Sequence, residues 1–220
     1  MNAPLRNPLC QRARLPMPRF LNIVEGFARG DSAASLSARI GVSTKSVNSI
    51  YQRLRRRIAR DRERLSPFAA LSITPNERRV RGRRPQVGET VPRLVGVRRV
   101  GHQLVSEWVN ADNAMEAFRI LYGKVPFDPS RHGWGYEGLM DLDTGRIRRL
   151  NTPVNALPTE PLHPLSLEQF SASIRARMAA TQGWPKTHLY LHLKEAEWRH
   201  GYLGRDAYTD LLKLLRQCPI

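Results

Sequence analysis

Residues 31–64, DSAASLSARIGVSTKSVNSIYQRLRRRIARDRER, constrain the chain more than any other stretch, because they hold two helix patterns around a glycine. Ser32 is placed to cap a short helix over 33–40, Gly41 can turn with positive φ, and Ser43 is placed to cap a second, longer helix. In that second helix Val47, Ile50, Tyr51, Leu54 and Ile58 recur at i, i+3, i+4, i+7 and i+11, which makes one apolar stripe. The pattern predicts a helix-turn-helix. Upstream, Phe20, Leu21, Val24 and Phe27 predict a first helix ending near Gly30, so that residues 17–66 form a three-helix module.

Charge says what such a module meets. The chain carries a formal charge of +17, and residues 1–85 hold 19 Lys and Arg against 5 Asp and Glu, whereas residues 86–220 hold 17 against 14. That asymmetry points to a polyanion bound on the N-terminal side, and the excess of Arg over Lys favours bidentate contacts with phosphate and guanine. The expected partner is double-stranded DNA. Thr44, Lys45, Asn48, Ser49 and Gln52 are the expected contacts with base edges, and Arg53, Arg55, Arg56, Arg57, Arg60 and Arg62 with phosphates. Arg55 to Arg57 span almost a helical turn, so at least one of them must turn away from the groove. Rival readings are a solvated basic helix in another bundle, or a basic adaptor docking an acidic protein or RNA.

Only Cys10 and Cys218 are present, which excludes a disulfide framework and a cysteine zinc site and fits a cytoplasmic location. No run approaches 18 apolar residues, so no membrane span is expected.

Residues 1–16 hold three prolines and no period and read as a flexible arm, while 67–92, with RRVRGRR at 78–84, reads as a basic linker. From residue 94 the period changes. LVGV (94–97) and QLVSEWV (103–109) read as a β-hairpin, Asp112 as the cap of a helix over 114–122, and 123–135 as a loop. A short helix is expected over 136–142, a strand over 147–150, and then a proline-rich passage. Ser166 and Gln169 form a capping box for a helix that Gly183 and Pro185 end, and two further helices follow over 186–201 and 205–217. The expected fold class is α+β, with a second domain at 93–220 whose C-terminal part is helical. His188 and His192 are spaced i, i+4, but no HExxH pattern or third ligand accompanies them.

Four collinear segments resemble the DDE-type insertion-sequence transposases. They are the helix-turn-helix with its basic helix, RVRGRRPQVGETVPRLVGVRR at 79–99, RHGWGYEGL at 131–139, and the tail from LEQFSASIRARMAATQGWP to HLKEAEWRHGYLGRDAYTDLLKLLRQCPI. The resemblance implies an RNase H-like catalytic domain that binds two divalent metals, behind a DNA-recognition head. It also implies where three catalytic carboxylates should stand. Asn76, in Pro75-Asn76-Glu77, occupies the first position and His132, before Gly133-Trp134, the second; only Glu168 keeps a carboxylate.

Two-metal phosphodiester chemistry holds Mg²⁺ ions roughly 3.5–4 Å apart on anionic oxygens. A neutral amide is a poor substitute and imidazole a poorer one, since it suits zinc or copper. Asp112, Asp128, Asp141, Asp143 and Glu89 are the acids left to compensate. The resemblance with these losses implies a degenerate domain with no catalytic residue and no metal cofactor, working as a homodimer on DNA with room for additional protein partners. If the carboxylates are instead supplied from elsewhere, the chain is an active transposase using Mg²⁺ or Mn²⁺.

Overall fold

A computed structural model describes residues 8–10, 15–65, 94–101, 103–150, 167–180, 189–201 and 206–220. The chain divides into two compact units, Met1–Asp61 with Tyr202–Ile220, and Arg62–Gly201. The linker expected over 67–92 with its basic run, Asn76, Glu89, Ser166 and the proline-rich passage fall outside the described residues.

The first unit contains α1 (Met17–Arg29), α2 (Ala33–Ile40), α3 (Thr44–Glu63, up to Asp61) and α7 (Ala207–Gln217). The predicted caps form: the Ser32 hydroxyl accepts from Ser35 N–H at 3.1 Å, and the Ser43 hydroxyl from Ser46 N–H at 3.2 Å. Gly41 takes φ +64, the left-handed conformation that ends α2 after Ile40 and turns the chain into α3. All five residues of the predicted α3 stripe are buried, together with Phe20, Ile23, Val24, Phe27 and Leu36. Tyr51 meets Phe27 edge to face at 5.0 Å and donates its hydroxyl to the Asp31 carbonyl.

One boundary moves. The last helix, α7, was expected with the second domain but packs against α1, burying Leu211 and Leu215. Its cap is Asp206, whose carboxylate accepts from Tyr208 N–H at 3.0 Å.

The second unit is a four-stranded antiparallel sheet of order β2-β1-β3-β4 with helices on both faces. Its strands are β1 (Leu94–Val100), β2 (Gln103–Trp108), β3 (Gly138–Asp141) and β4 (Ile147–Arg149). The helices are α4 (Ala111–Leu121), α5 (Leu167–Ala180) and α6 (Leu189–Gly201). The chain is therefore α+β. Along β1, Val95 and Val97 join Leu104, Met140, Phe170, Ile174 and Leu193 on the α5/α6 face. Leu94 and Leu139 join Ala117, Ile120 and Leu121 on the α4 face. With helices on both faces, consecutive residues of β1 and β2 are buried rather than every second one.

Two local expectations are corrected. Residues 136–142 were expected as a helix and instead contain β3, where Leu139 and Met140 point to opposite cores; a short apolar run has no period that separates the two structures. Asn110, not Asp112, caps α4 by accepting from Asp112 N–H, and Asp112 sits in the first turn, where the helix dipole favours it.

Candidate nucleic-acid interface

The first unit carries 15 Lys and Arg against 5 Asp and Glu over its sequence, and α3 is its most basic element. The turn that presents α3 is braced from both sides. Ser37 Oγ, near the end of α2, lies 2.8 Å from Thr44 Oγ1, the first residue of α3, and Arg39 pairs with Asp31 at 2.5 Å. Thr44 therefore remains exposed, but its hydroxyl is engaged inside the turn.

Opposite the buried stripe runs a polar one. Lys45, Ser49, Gln52, Arg56 and Arg60 follow at i, i+4, i+7, i+11 and i+15; all are exposed except Gln52, which is partly so. At 100° per residue they stay within about 40° of the line facing away from the core, over about 22 Å of helix. Asn48 is exposed on the flank of this stripe. Among the described residues, the side chains of Lys45, Asn48, Ser49, Gln52, Arg56 and Arg60 have no hydrogen-bond partner. No acidic residue lies on α3 before Asp61.

The other expected contacts turn inward, and two of them are corrections. Arg57, expected at a phosphate, is 4% exposed and donates to the Leu214 carbonyl in the last turn of α7, where a cation also offsets the negative end of the helix dipole. Arg62 is 3% exposed; its Nε donates to Glu197 Oε1 at 2.7 Å and its other nitrogens to Gln103 Oε1 at 2.5 Å and to the Leu104 carbonyl. Neither can reach a phosphate without abandoning buried partners. Arg55 lies over the Phe27 and Tyr51 rings at 5.7 and 5.9 Å, and Arg53 donates to Cys10 Sγ at 3.2 Å, so both are partly committed to their own unit.

Arg62 belongs to a buried charge network in the second unit that the sequence did not announce. Glu197 is fully buried and accepts from Arg62, from Lys194 Nζ at 3.0 Å, and from Ser106 N–H and Oγ at 2.9 and 2.6 Å. Burial alone would push this carboxyl up, but Lys194, Arg62 and Ser106 together hold it below the ordinary carboxylate range. The segment Lys194-Glu195-Ala196-Glu197-Trp198-Arg199 is thus a structural core, with Glu195 also pairing Arg199 at 2.8 Å. The available signal was a set of charges standing on an otherwise apolar helix.

Of the three positions read as vestigial, Asn76 lies outside the described residues, and so does the side chain of Glu168, whose position falls on α5. His132 is visible and does not fit a metal ligand. It is 3% exposed in the loop before β3, its Nε2 is 3.0 Å from Glu116 Oε1, and its Nδ1 accepts from Asp128 N–H at 3.0 Å. Nδ1 also lies 2.9 Å from the Asp128 carbonyl, so both ring nitrogens already have partners within the protein. The hydrogen bond from His132, with Arg131 and Arg119 nearby, holds Glu116 below the usual carboxylate range. Among the acids named above as substitutes, Asp141 accepts from Tyr122 Oη and from Asp143 N–H, both at 2.7 Å, and Asp128 accepts from Ser130 N–H at 2.9 Å.

Among the described residues no group of three His, Cys, Asp or Glu is gathered as metal ligands, and no helix is long and apolar enough to cross a membrane. No family model matches the chain, and no curated protein and no solved structure matches it.

Proposed function

We propose that this chain is a sequence-specific binder of double-stranded DNA, in which α3 enters the major groove behind the α2–α3 turn. The observation that carries the reading is the pair of opposed stripes on α3: an unbroken buried one, and an exposed one of Lys45, Ser49, Gln52, Arg56 and Arg60 with uncommitted polar ends. Lys45 and the neutral hydrogen-bonding side chains of Ser49 and Gln52 lie toward the N-terminal turns and arginines beyond them. That order suits a helix whose first turns meet base edges and whose later turns meet the phosphate backbone. Regulation of transcription or service in a larger nucleoprotein complex both fit such a binder, and a homodimer on paired half-sites follows by analogy with other helix-turn-helix proteins.

The finer reading of the second unit, a transposase-derived RNase H-like domain that no longer cleaves DNA, rests on sequence resemblance alone. The all-antiparallel order and the engaged ring of His132 add nothing to that ancestry, though the latter agrees with a non-cleaving role.

Equilibrium binding of the full chain to a mixed-sequence DNA duplex, an RNA duplex of equal length and polyglutamate, at rising salt, tests the reading. DNA should bind tightest, and its log affinity should fall linearly with log salt as counterions are released. Preference for RNA or polyglutamate would replace this reading with a basic adaptor. Metal-dependent nicking of the duplex would restore the active transposase.

A further inference from the structure

We infer that the exposed stripe of α3 is divided into a base-reading end and a phosphate-clamping end, and that the reading end selects a guanine through Lys45 and an adenine through Gln52. The inference rests on the DNA-binding reading above and deepens it by naming the bases. It starts from which polar ends are left over. Thr44 is tied to Ser37, Ser46 to Ser43, and Arg53 to Cys10, while Arg55 lies on two rings. On the central stripe the uncommitted side chains are Lys45, Ser49 and Gln52, then Arg56 and Arg60. The chemistry changes at the third turn.

Each uncommitted group has a distinct match in the major groove. An ammonium donates to O6 and N7 of guanine, which are both acceptors. A carboxamide donates to N7 and accepts from the N6 amino group of adenine, a pairing that no other base offers in the major groove. The Ser49 hydroxyl between them donates or accepts and imposes little choice. Lys45 and Gln52 are seven residues apart, about 10 Å along the helix axis, which corresponds to about three base pairs at 3.4 Å per pair. A guanine and an adenine at about that separation are therefore the core of each half-site. Arg56 and Arg60 lie a further turn and two turns along α3, where the helix leaves the groove floor, and they act on any sequence alike.

Selection of binding sites from a random duplex library by the full chain tests the division, using wild type, Gln52→Glu, Lys45→Ala and Arg60→Ala. These positions are at the surface, and far-ultraviolet circular dichroism checks that each variant keeps its helices. Wild type should enrich a motif with guanine and adenine at the stated spacing. Gln52→Glu should move the adenine position to cytosine, whose N4 amino group donates to a carboxylate, by about 10- to 100-fold in relative preference. Lys45→Ala should flatten the guanine position by a similar factor, and Arg60→Ala should weaken binding while leaving the motif intact. An unchanged motif with Gln52→Glu or with Lys45→Ala overturns the base assignment while DNA binding stands. Salt-dependent duplex binding by wild type with no enriched motif does the same. Failure of wild type to bind duplex DNA at low salt overturns this inference together with the reading beneath it.

Discussion

Glu197 shows how much a single buried charge can settle. With Arg62 and Lys194 both donating to it in the core of the second unit, its removal leaves two cations without their counter-charge. Glu197→Gln should cost about 3–5 kcal/mol of unfolding free energy, read by chemical denaturation, because an uncompensated buried charge costs far more than a lost surface pair. A loss under about 1 kcal/mol would mean that solvent reaches the network. His200 works in the opposite sense. Burial holds its imidazole below the ordinary histidine value, so the neutral ring is the form the fold favours. Stability tied to that ring is whole above the ordinary histidine pKa and is lost as pH falls below it. Thermal midpoints from about pH 7.5 to about pH 5 should fall in wild type and fall less steeply in His200→Leu; equal slopes would contradict the assignment. Glu197 and Glu116, both held below the usual range, add a further loss only when pH drops through the carboxylate region. At this scale the sequence was half legible. Arg57 is i+3 from Leu54 and Arg62 is i+4 from Ile58, so both extend the apolar stripe and are marked by the helical period for burial. Their partners, Leu214 and Glu197, lie 157 and 135 residues away, and no local pattern carries that information.

Among the elements, the head and the β1–β2 hairpin were readable because each announces itself twice, once by period and once by punctuation. Ser32, Gly41 and Ser43 bracket α2 and α3 in sequence and do so in space. By contrast β3 follows a glycine-rich loop with only four residues, too few to show a period, and its identity comes from pairing with β1 and β4. Nor does sequence order reveal that α7 joins α1, since an amphipathic helix fits any apolar surface. The centre of the sheet carries its own constraint at Gly96. A Cβ there would stand 2.4 Å from the ring of Tyr136, which is buried and has Arg98 over it at 5.0 Å. Gly96→Ala should therefore destabilise the second unit by about 1–3 kcal/mol in chemical denaturation, as overpacking does in other cores. A neutral result would show that the ring has room to swing aside.

For the whole molecule, the division of charge between its two ends was the most informative quantity in the sequence, and it agrees with the exposure of α3. Composition suggested the kind of partner proposed above, whereas exposure and prior commitment decide which side chains would be available to it. Among the described residues, that filter leaves Lys45, Asn48, Ser49, Arg56 and Arg60 of the eleven expected contacts exposed and without partners, with Gln52 partly exposed, and it moves Arg57 and Arg62 from function to structure. The transposase resemblance located His132 in the chain but not its environment, because a loop histidine's partners come from α4 and from its own backbone turn.

The claim on which all this depends is that the outward face of α3 grips the phosphates of duplex DNA. The most direct measurement is the slope of log affinity against log salt for a mixed-sequence duplex, compared between wild type and Arg56→Ala with Arg60→Ala. Two lost phosphate contacts should reduce the slope by about 2 with little change in thermal midpoint. Identical slopes for the two proteins, or a wild type whose affinity ignores salt, would contradict the account.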